Sequence, residues 1–275
     1  LGLWLVLGLG VLQGLTEFLP VSSSGHLRLF AAWFGVQDPQ LLFDILMHVG
    51  TLVAVFIVYR RLLLDMLLAT FRVVRRPGSL ADEPYAKVVL YGIVGTIPTG
   101  IIAVLAGDTM ESAAAATWVV GAALVVNGFI LLLLGRVYAI RANASNPGRT
   151  IEEMTLRDAL IVGTVQGMGI FRGISRSGST ITAGLLTGLR QDAATAFSFV
   201  LAIPAILGAL VLKFDASALA TDGTLGLYLA GAATSAVVGT VALIYLKHLM
   251  DVGKLHLFAW YCFPLGVVAI TLDLL

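Results

Sequence analysis

Long apolar runs, each closed by charge or by a glycine- or proline-bearing turn, set the pattern of the chain. Six of them, near 41–59, 87–106, 113–135, 193–213, 225–247 and 256–275, carry few interruptions. Each is close to the roughly 20 residues that an α-helix needs to cross a bilayer. About six full transmembrane helices are therefore predicted. Two further apolar segments do not run through. The first, about 1–34, is broken at "FLPVSSSGHL"; the second, about 155–190, is broken at "FRGISRSGST". Each reads as two short apolar arms around a polar, glycine-bearing hinge. Lipid tolerates such a hinge only where it is buried in protein or faces a water-filled cavity, so both segments are predicted to be re-entrant helical hairpins.

Composition agrees with this pattern. Of 275 residues, 59% are hydrophobic and 12% charged, against about 25% charged in soluble domains. The fold class is all-α, a polytopic membrane protein. A formal net charge of +1 gives no concentrated basic face for phosphate backbones, so no nucleic-acid partner is expected. Cys262 is the only cysteine, which excludes a disulfide framework and a thiolate metal cluster. The first apolar run lacks a basic leader and a small-residue cleavage site, and is not read as a signal peptide. Trp4, Trp33, Trp118 and Trp260 fall near predicted span ends, as an aromatic belt would.

The two interrupted segments are copies. A shift of 153 residues lays "QGLTEFLPVSSSG" (13–25) on "QGMGIFRGISRSG" (166–178), with Gln13/Gln166, Gly14/Gly167, Phe18/Phe171, Ser22/Ser175, Ser24/Ser177 and Gly25/Gly178 coinciding. One residue further out of step, "FDILMHVGTLVA" (43–54) lies on "FSFVLAIPAILG" (197–208). The expectation is a single membrane domain over 1–275, duplicated internally, with repeat 1 at about 1–135 and repeat 2 at about 155–275. Lys and Arg positions orient it. Arg60, Arg61, Arg72, Arg75, Arg76 and Lys87 share one connection, and Arg136, Arg141, Arg149 and Arg157 another. Arg190, Lys247 and Lys254 join the same side. Arg28 and Lys213 fall opposite, beside Asp108, Glu111, Asp215 and Asp222. With the arginine-rich connections cytoplasmic, the hairpins enter from opposite faces as inverted repeats, and their polar tips should meet near the midplane.

Arg172 and Arg176 are the charges left once the loops are counted, and both sit in the second hinge. A charge at that depth costs several kcal/mol unless paired or hydrated, and marks a functional site by default. A plain Arg–Glu17 pin between the hairpins is the simpler account, but it leaves the hinge serines unexplained. Each hinge precedes a short helical arm whose N-terminal amides favour an anion, and serine hydroxyls with a guanidinium complete a cradle suited to phosphate. The copies differ in chemistry. Where the second has Ile170, Arg176 and Ser179, the first has Glu17, Ser23 and His26, the parts of proton transfer and nucleophilic attack. Gln13 and Glu17, four apart, share a helix face. Other polar positions weigh less: His48 reads as an imidazole bonded to a neighbouring helix, Asp44 as hydrated near an outer end, His248 and His256 as solvated, and Asn127 as interhelical glue.

"QGLTEFLPVSSSGH" and "GISRSGST" resemble the two signature motifs of the undecaprenyl-pyrophosphate phosphatase family, the integral-membrane, bacitracin-resistance type. The first is similar to the family's [E/Q]-x-x-x-E motif with its serine-rich tail and following histidine, the second to P-G-x-S-R-S-G-x-T. The resemblance runs over essentially the whole chain, including "FDILMHVGTLVAV" and "AFSFVLAIPAILGA". It implies removal of the terminal phosphate from a C55 polyprenyl pyrophosphate at the outer face of the cytoplasmic membrane, recycling the lipid carrier for cell-wall glycans with help from a divalent cation (Mg or Ca). It gives Glu17, Ser23, His26 and Arg176 the catalytic roles. Gln13, Ser22, Ser24, Arg172, Gly173, Ser175, Ser177, Ser179 and Thr180 fall around the phosphates. Arg172 departs from the pattern, standing where the motif has proline, so "polyprenyl" is the firmer substrate class. Ser23, His26 and water all remain open as the nucleophile, and metal ligands are unassigned. Membrane lipids are the expected surroundings, and a homodimer is compatible with the reading. The rival is a lipid-phosphate flippase or anion secondary transporter, since inverted repeats with broken helices are built for carriage too. An acid–base pair in one half alone favours chemistry.

Overall fold

The computed structural model describes residues 2–36, 41–142, 148–213 and 225–274. Among them the chain forms eleven α-helices. Both sequence breaks are structural breaks: α1 (Leu3–Phe18) stops before the first hinge and α2 (Ser23–Trp33) restarts after it. The continuous runs of the first half are α3 (Leu41–Val58), α5 (Pro84–Ala113) and α6 (Thr117–Ala142), with α4 (Arg60–Arg75) between the first two. In the second half, α7 (Leu156–Met168) and α8 (Arg176–Thr187) flank the second hinge, followed by α9 (Gln191–Lys213), α10 (Leu225–Asp251) and α11 (Ala259–Leu274). Five segments are long and apolar enough to cross a membrane: Pro84–Ala113, Thr117–Arg141, Gln191–Val211, Leu225–Asp251 and Leu255–Leu274. Leu3–Phe18 and Phe43–Val58 are shorter apolar helices, so five of the six expected spans reach that length among the described residues. This is a polytopic all-α membrane protein. The 11 residues of α2 and 12 of α8, at about 1.5 Å each, reach roughly half of a ~30 Å hydrocarbon core.

One element differs from expectation. The arginine-bearing connection after α3 contains the helix α4. Its Met66 and Ala69 are buried, while Leu64, Leu67, Leu68, Phe71 and Val74 are exposed. Arg60 and Arg61 at its start, Asp65 within it and Arg72 and Arg75 in its last turn leave its apolar positions in pieces too short to register as a span. The last two arginines are nonetheless placed: Arg75 lies over the Phe71 ring at 4.2 Å, and Arg72 donates to both carboxylate oxygens of Glu83 at 2.6 and 2.9 Å, tying α4 to the start of α5. Asp215 and Asp222, and residues 143–147 of the junction between halves, lie outside the described residues. Trp4, Trp33, Trp118 and Trp260 are exposed.

Close helix crossings fix the hairpins. α1 packs on α10 and α7 on α5, while α3 also packs on α10 and α6 on α11. A Cβ at Gly10 would sit 2.8 Å from Gly231 O, and one at Gly14 2.8 Å from Gly239 N, so the α1–α10 contact is possible only with bare backbone there. Small residues four apart are the usual device for such approaches in lipid. Beneath the first hinge, Phe18 packs edge-on against Phe199 with ring centroids 5.5 Å apart. α1 is thereby held with Gln13 and Glu17 directed inward, both buried.

Candidate active site

The two hinges are bonded to each other. Gly173 N–H donates to Ser22 Oγ at 3.1 Å, and Ser177 Oγ donates to Phe18 O at 3.0 Å. Between them stands Asn127 of α6, fully buried. Its Nδ2 donates to Pro20 O in the first hinge at 2.8 Å, and its Oδ1 accepts from Ser175 N–H in the second at 3.0 Å. The sequence reading of Asn127 as glue is met, but the parts joined are hinges.

Each hinge closes with the same cap. Ser22 Oγ accepts from Gly25 N–H at 3.3 Å and Ser175 Oγ from Gly178 N–H at 3.1 Å. That leaves the first amides of α2 and α8 without carbonyls a turn back. Ser22 holds φ 71°, the only positive φ at a non-glycine among the described residues. Strain of this kind persists where surrounding bonds over-determine it. Here they are the two amides on its Oγ and the His26 imidazole, whose Nδ1 is 2.7 Å from Ser22 O.

Glu17 is the centre of the cluster. Its Oε2 accepts from Ser23 Oγ at 2.7 Å and from Gln13 Nε2 at 3.1 Å. Its Oε1 accepts from Arg176 Nη2 at 2.5 Å. His48 on α3 brings Nε2 to 3.7 Å from Oε2. Two buried atoms here have no partner, Arg176 Nη1 and Gln13 Oε1. The cluster opens into a cavity of about 220 Å³. Its lining combines Glu17, Ser22, Ser23, Ser24, His48, Ser175 and Arg176 with the apolar Ile170, Ile174, Ala205, Ile206 and Ala209.

The structure thus brings together Gln13, Glu17, Ser22, Ser23, Ser24, Ser175 and Arg176. Other sequence-predicted residues lie elsewhere. His26 turns from the cavity: a carbonyl can only accept, so Nδ1 carries the proton, and Nε2 meets Tyr261 OH of α11 at 2.7 Å. Arg172 pairs with Glu111 at 3.2 Å in a separate recess shared with Arg28 and Asp108. The Ser177 hydroxyl is held by Phe18 O and by Ser175 Oγ at 3.1 Å. Thr180 Oγ1 meets Ser198 Oγ at 2.6 Å and donates to Arg176 O at 2.7 Å. Ser179 Oγ is buried without a hydrogen-bond partner and outside the cavity lining. Gly173, at φ 105°, serves the turn, since a Cβ there would come within 2.6 Å of Val120 O. His48 bonds its own helix through Asp44 O at 2.9 Å, and faces the cavity. The signal for it was present, as an ionisable residue in the middle of an apolar run. Tyr261 had no sequence signal.

A hydroxyl bonded to a carboxylate, with a guanidinium on that carboxylate and a free N–H on the guanidinium, suits attack at a phosphoryl group. No three His, Cys, Asp or Glu side chains gather into a metal cage among the described residues. Of the oxygens that could meet a cation here, Gln13 Oε1 has no partner, while both oxygens of Glu17 already accept hydrogen bonds and would share them; such a pair fits an ion that takes the rest of its shell from phosphates.

Residues 6–268 match the family described as bacitracin resistance protein BacA. The chain is 38% identical over 269 residues to an undecaprenyl-diphosphatase of Desulforapulum autotrophicum, covering 95% of each chain. It is 40% identical over 275 residues to one of Alkaliphilus metalliredigens, covering 97% of each. With two hinges of the family's motif type meeting in one cavity and a match over nearly its whole length, the chain belongs to the bacitracin resistance protein BacA family.

Proposed function

We propose that this chain is an undecaprenyl-diphosphatase, a membrane hydrolase that converts a polyprenyl pyrophosphate to the monophosphate and inorganic phosphate. That reaction returns the lipid carrier to cell-envelope glycan synthesis. The observation that carries it is the Ser23–Glu17–Arg176 chain of contacts in a cavity that apolar residues also line. The polar lining residues suit a pyrophosphate and the apolar ones the first isoprene units. A carrier would need the same cradle but has no use for a hydroxyl bonded to a carboxylate.

Ser23 Oγ attacks the terminal phosphorus, and its proton passes to Glu17 Oε2, 2.7 Å away. The bond from that phosphorus to the bridging oxygen breaks, and the lipid monophosphate leaves with the oxygen. Arg176 Nη1 and the first amides of α2 and α8 stabilise charge on the transferring group, where preorganised donors act most strongly. Water then attacks the phosphoserine, Ser23 Oγ recovers a proton, and phosphate departs. His26 positions Ser22 and hence the start of α2. Glu17 and Gln13 Oε1 would hold a divalent cation, which supplies charge neutralisation on the phosphates.

The duplication into repeats at about 1–135 and 155–275 is supported by the matching caps and by the exchanged packing of α1 on α10 and α7 on α5. We place the protein in the plasma membrane with its cavity toward the outer face, on the loop arginines. The test is phosphate release from undecaprenyl pyrophosphate by protein purified in detergent. Wild type should turn over, and Ser23→Ala should lose on the order of 10³-fold or more. Chelation should lower turnover, with Mg or Ca restoring it. A well-folded wild type that releases no phosphate would sink the proposal.

A further inference from the structure

A second cavity, of about 270 Å³, shares no lining residue with the catalytic one. It lies where α3 and α10 end and α9 begins, beside Glu152 in the loop before α7. Tyr59 lines it and is only 7% exposed, yet among the described residues no hydrogen bond reaches its hydroxyl. A buried tyrosine hydroxyl ordinarily meets a partner, so this one is free for a ligand. Lys247 and Asp251 line the cavity as well, one helical turn apart and so on the same face of α10. Lys247 Nζ lies 5.1 Å from the centre of the Tyr59 ring. Among the described residues neither this ammonium nor the Asp251 carboxylate has an ion-pair or hydrogen-bond partner. The other charged lining groups are engaged. Arg190 donates to both oxygens of Asp192 at 2.6 and 2.5 Å, and Glu152 accepts from Tyr85 OH.

What remains is one ammonium, one carboxylate and one hydroxyl around a single space. The lining as a whole sets two cations against three carboxylates, so a bare anion is repelled and a ligand carrying an ammonium of its own is favoured. We propose that this cavity is a lipid site for the headgroup of an aminophospholipid, a phosphate joined by two carbons to a primary ammonium. The phosphate accepts from Lys247 Nζ and Tyr59 OH, and the ammonium donates to Asp251, each a hydrogen bond with a charged partner. The surroundings point to a lipid rather than a soluble molecule. Arg60 and Arg61 close the apolar run of α3, and Lys247 and His248 that of α10, which places the cavity at the edge of the membrane. Just inside that edge Phe56, Ile57, Ile244 and Tyr245 are exposed, an apolar surface for the acyl chains to cover.

Native mass spectrometry of the detergent-solubilised protein tests this, with phosphatidylethanolamine, phosphatidylcholine and phosphatidylglycerol of matched acyl chains as probes. Wild type should retain one phosphatidylethanolamine. Phosphatidylcholine has no N–H to give Asp251, and phosphatidylglycerol has no ammonium, so each should bind about tenfold more weakly. Asp251→Asn and Tyr59→Phe should each weaken phosphatidylethanolamine by about tenfold. Neither breaks a hydrogen bond seen in the structure, and Tyr59→Phe keeps the ring against Phe199, so both should unfold at the wild-type temperature in detergent. Equal retention of the three lipids by wild type would overturn the proposal, and so would a preference for phosphatidylglycerol, which would make this a plain anion site. Selectivity for phosphatidylethanolamine that survives both substitutions would overturn it too, by placing the lipid elsewhere. Free phosphoethanolamine identifies the source: it should bind far more weakly than the lipid, and binding as tight as the lipid's would make the occupant a soluble molecule.

Discussion

Glu17 divides its two oxygens. Oε1 accepts from Arg176, while Oε2 accepts from Ser23 and Gln13 and faces His48. The Arg176 contact is the pin anticipated as the simpler account, yet a pin alone leaves Nη1 buried without a partner. Leaving a buried donor unsatisfied costs about 1–3 kcal/mol, so a site that carries one is built for a ligand's acceptor. Arg176→Lys separates the roles. It retains the positive charge and much of the pairing with Glu17, so thermal stability should stay near wild type. It loses the planar fork that meets a phosphoryl group at two points, and turnover should fall by about 10²–10³-fold. Arg172→Gln is the contrast. Its partner Glu111 is exposed and its recess is separate from the cavity; a surface pair contributes about 0–1 kcal/mol, and turnover should hold. Phosphate-release kinetics on both variants decide it. Near-normal kcat for Arg176→Lys would return the residue to the role of pin.

At the scale of elements, the site depends on hinges held by a third helix. Asn127→Ala removes the bonds to Pro20 O and Ser175 N–H together and leaves two buried backbone groups unsatisfied, at about 1–3 kcal/mol each. Thermal unfolding should show that loss, and turnover should fall with it as Glu17 and Arg176 lose their register. Unchanged stability would mean that the hinges hold each other without α6. Much of this level was legible in the sequence. Serine and glycine interrupt apolar periodicity at both hinges, with a proline in the first and two arginines in the second, so α1–α2 and α7–α8 could be drawn to within a few residues. α4 was not legible, because arginines at both ends and Asp65 within leave no apolar run long enough to reveal it. The imidazoles show the other limit. His26 lies beside the hinge in sequence, but four residues past Ser22 the helical turn carries it back onto Ser22 O. His48, far along the chain, reaches Glu17 through the packing of α3 and α1 on the same helix, α10, a contact that local pattern does not encode.

At the scale of the whole molecule, one residue shows how the second hairpin returns to its starting side. Arg149 donates to both oxygens of Asp158 near the start of α7, at 2.6 and 2.8 Å, and to Thr187 O at the end of α8, at 2.9 Å. Its backbone exchanges bonds with Gly188 O and Arg190 N–H. Both arms therefore end together. Glu152, close by, accepts from Tyr85 OH at the start of α5 at 2.5 Å. The tip of the same hairpin points the other way, where Arg172 meets Glu111 at the far end of α5. The cavity consequently lies away from the Arg149 end. That end carries the arginine-rich connections, which favour the cytoplasm, and this is the reason for assigning the cavity to the outer face. Single cysteines test it, because Cys262 is fully buried and should not react. In intact cells a membrane-impermeant maleimide should label Glu111→Cys and leave Glu153→Cys unlabelled until the membrane is opened. The reverse pattern would turn the protein over, and with it the side from which the lipid pyrophosphate must arrive.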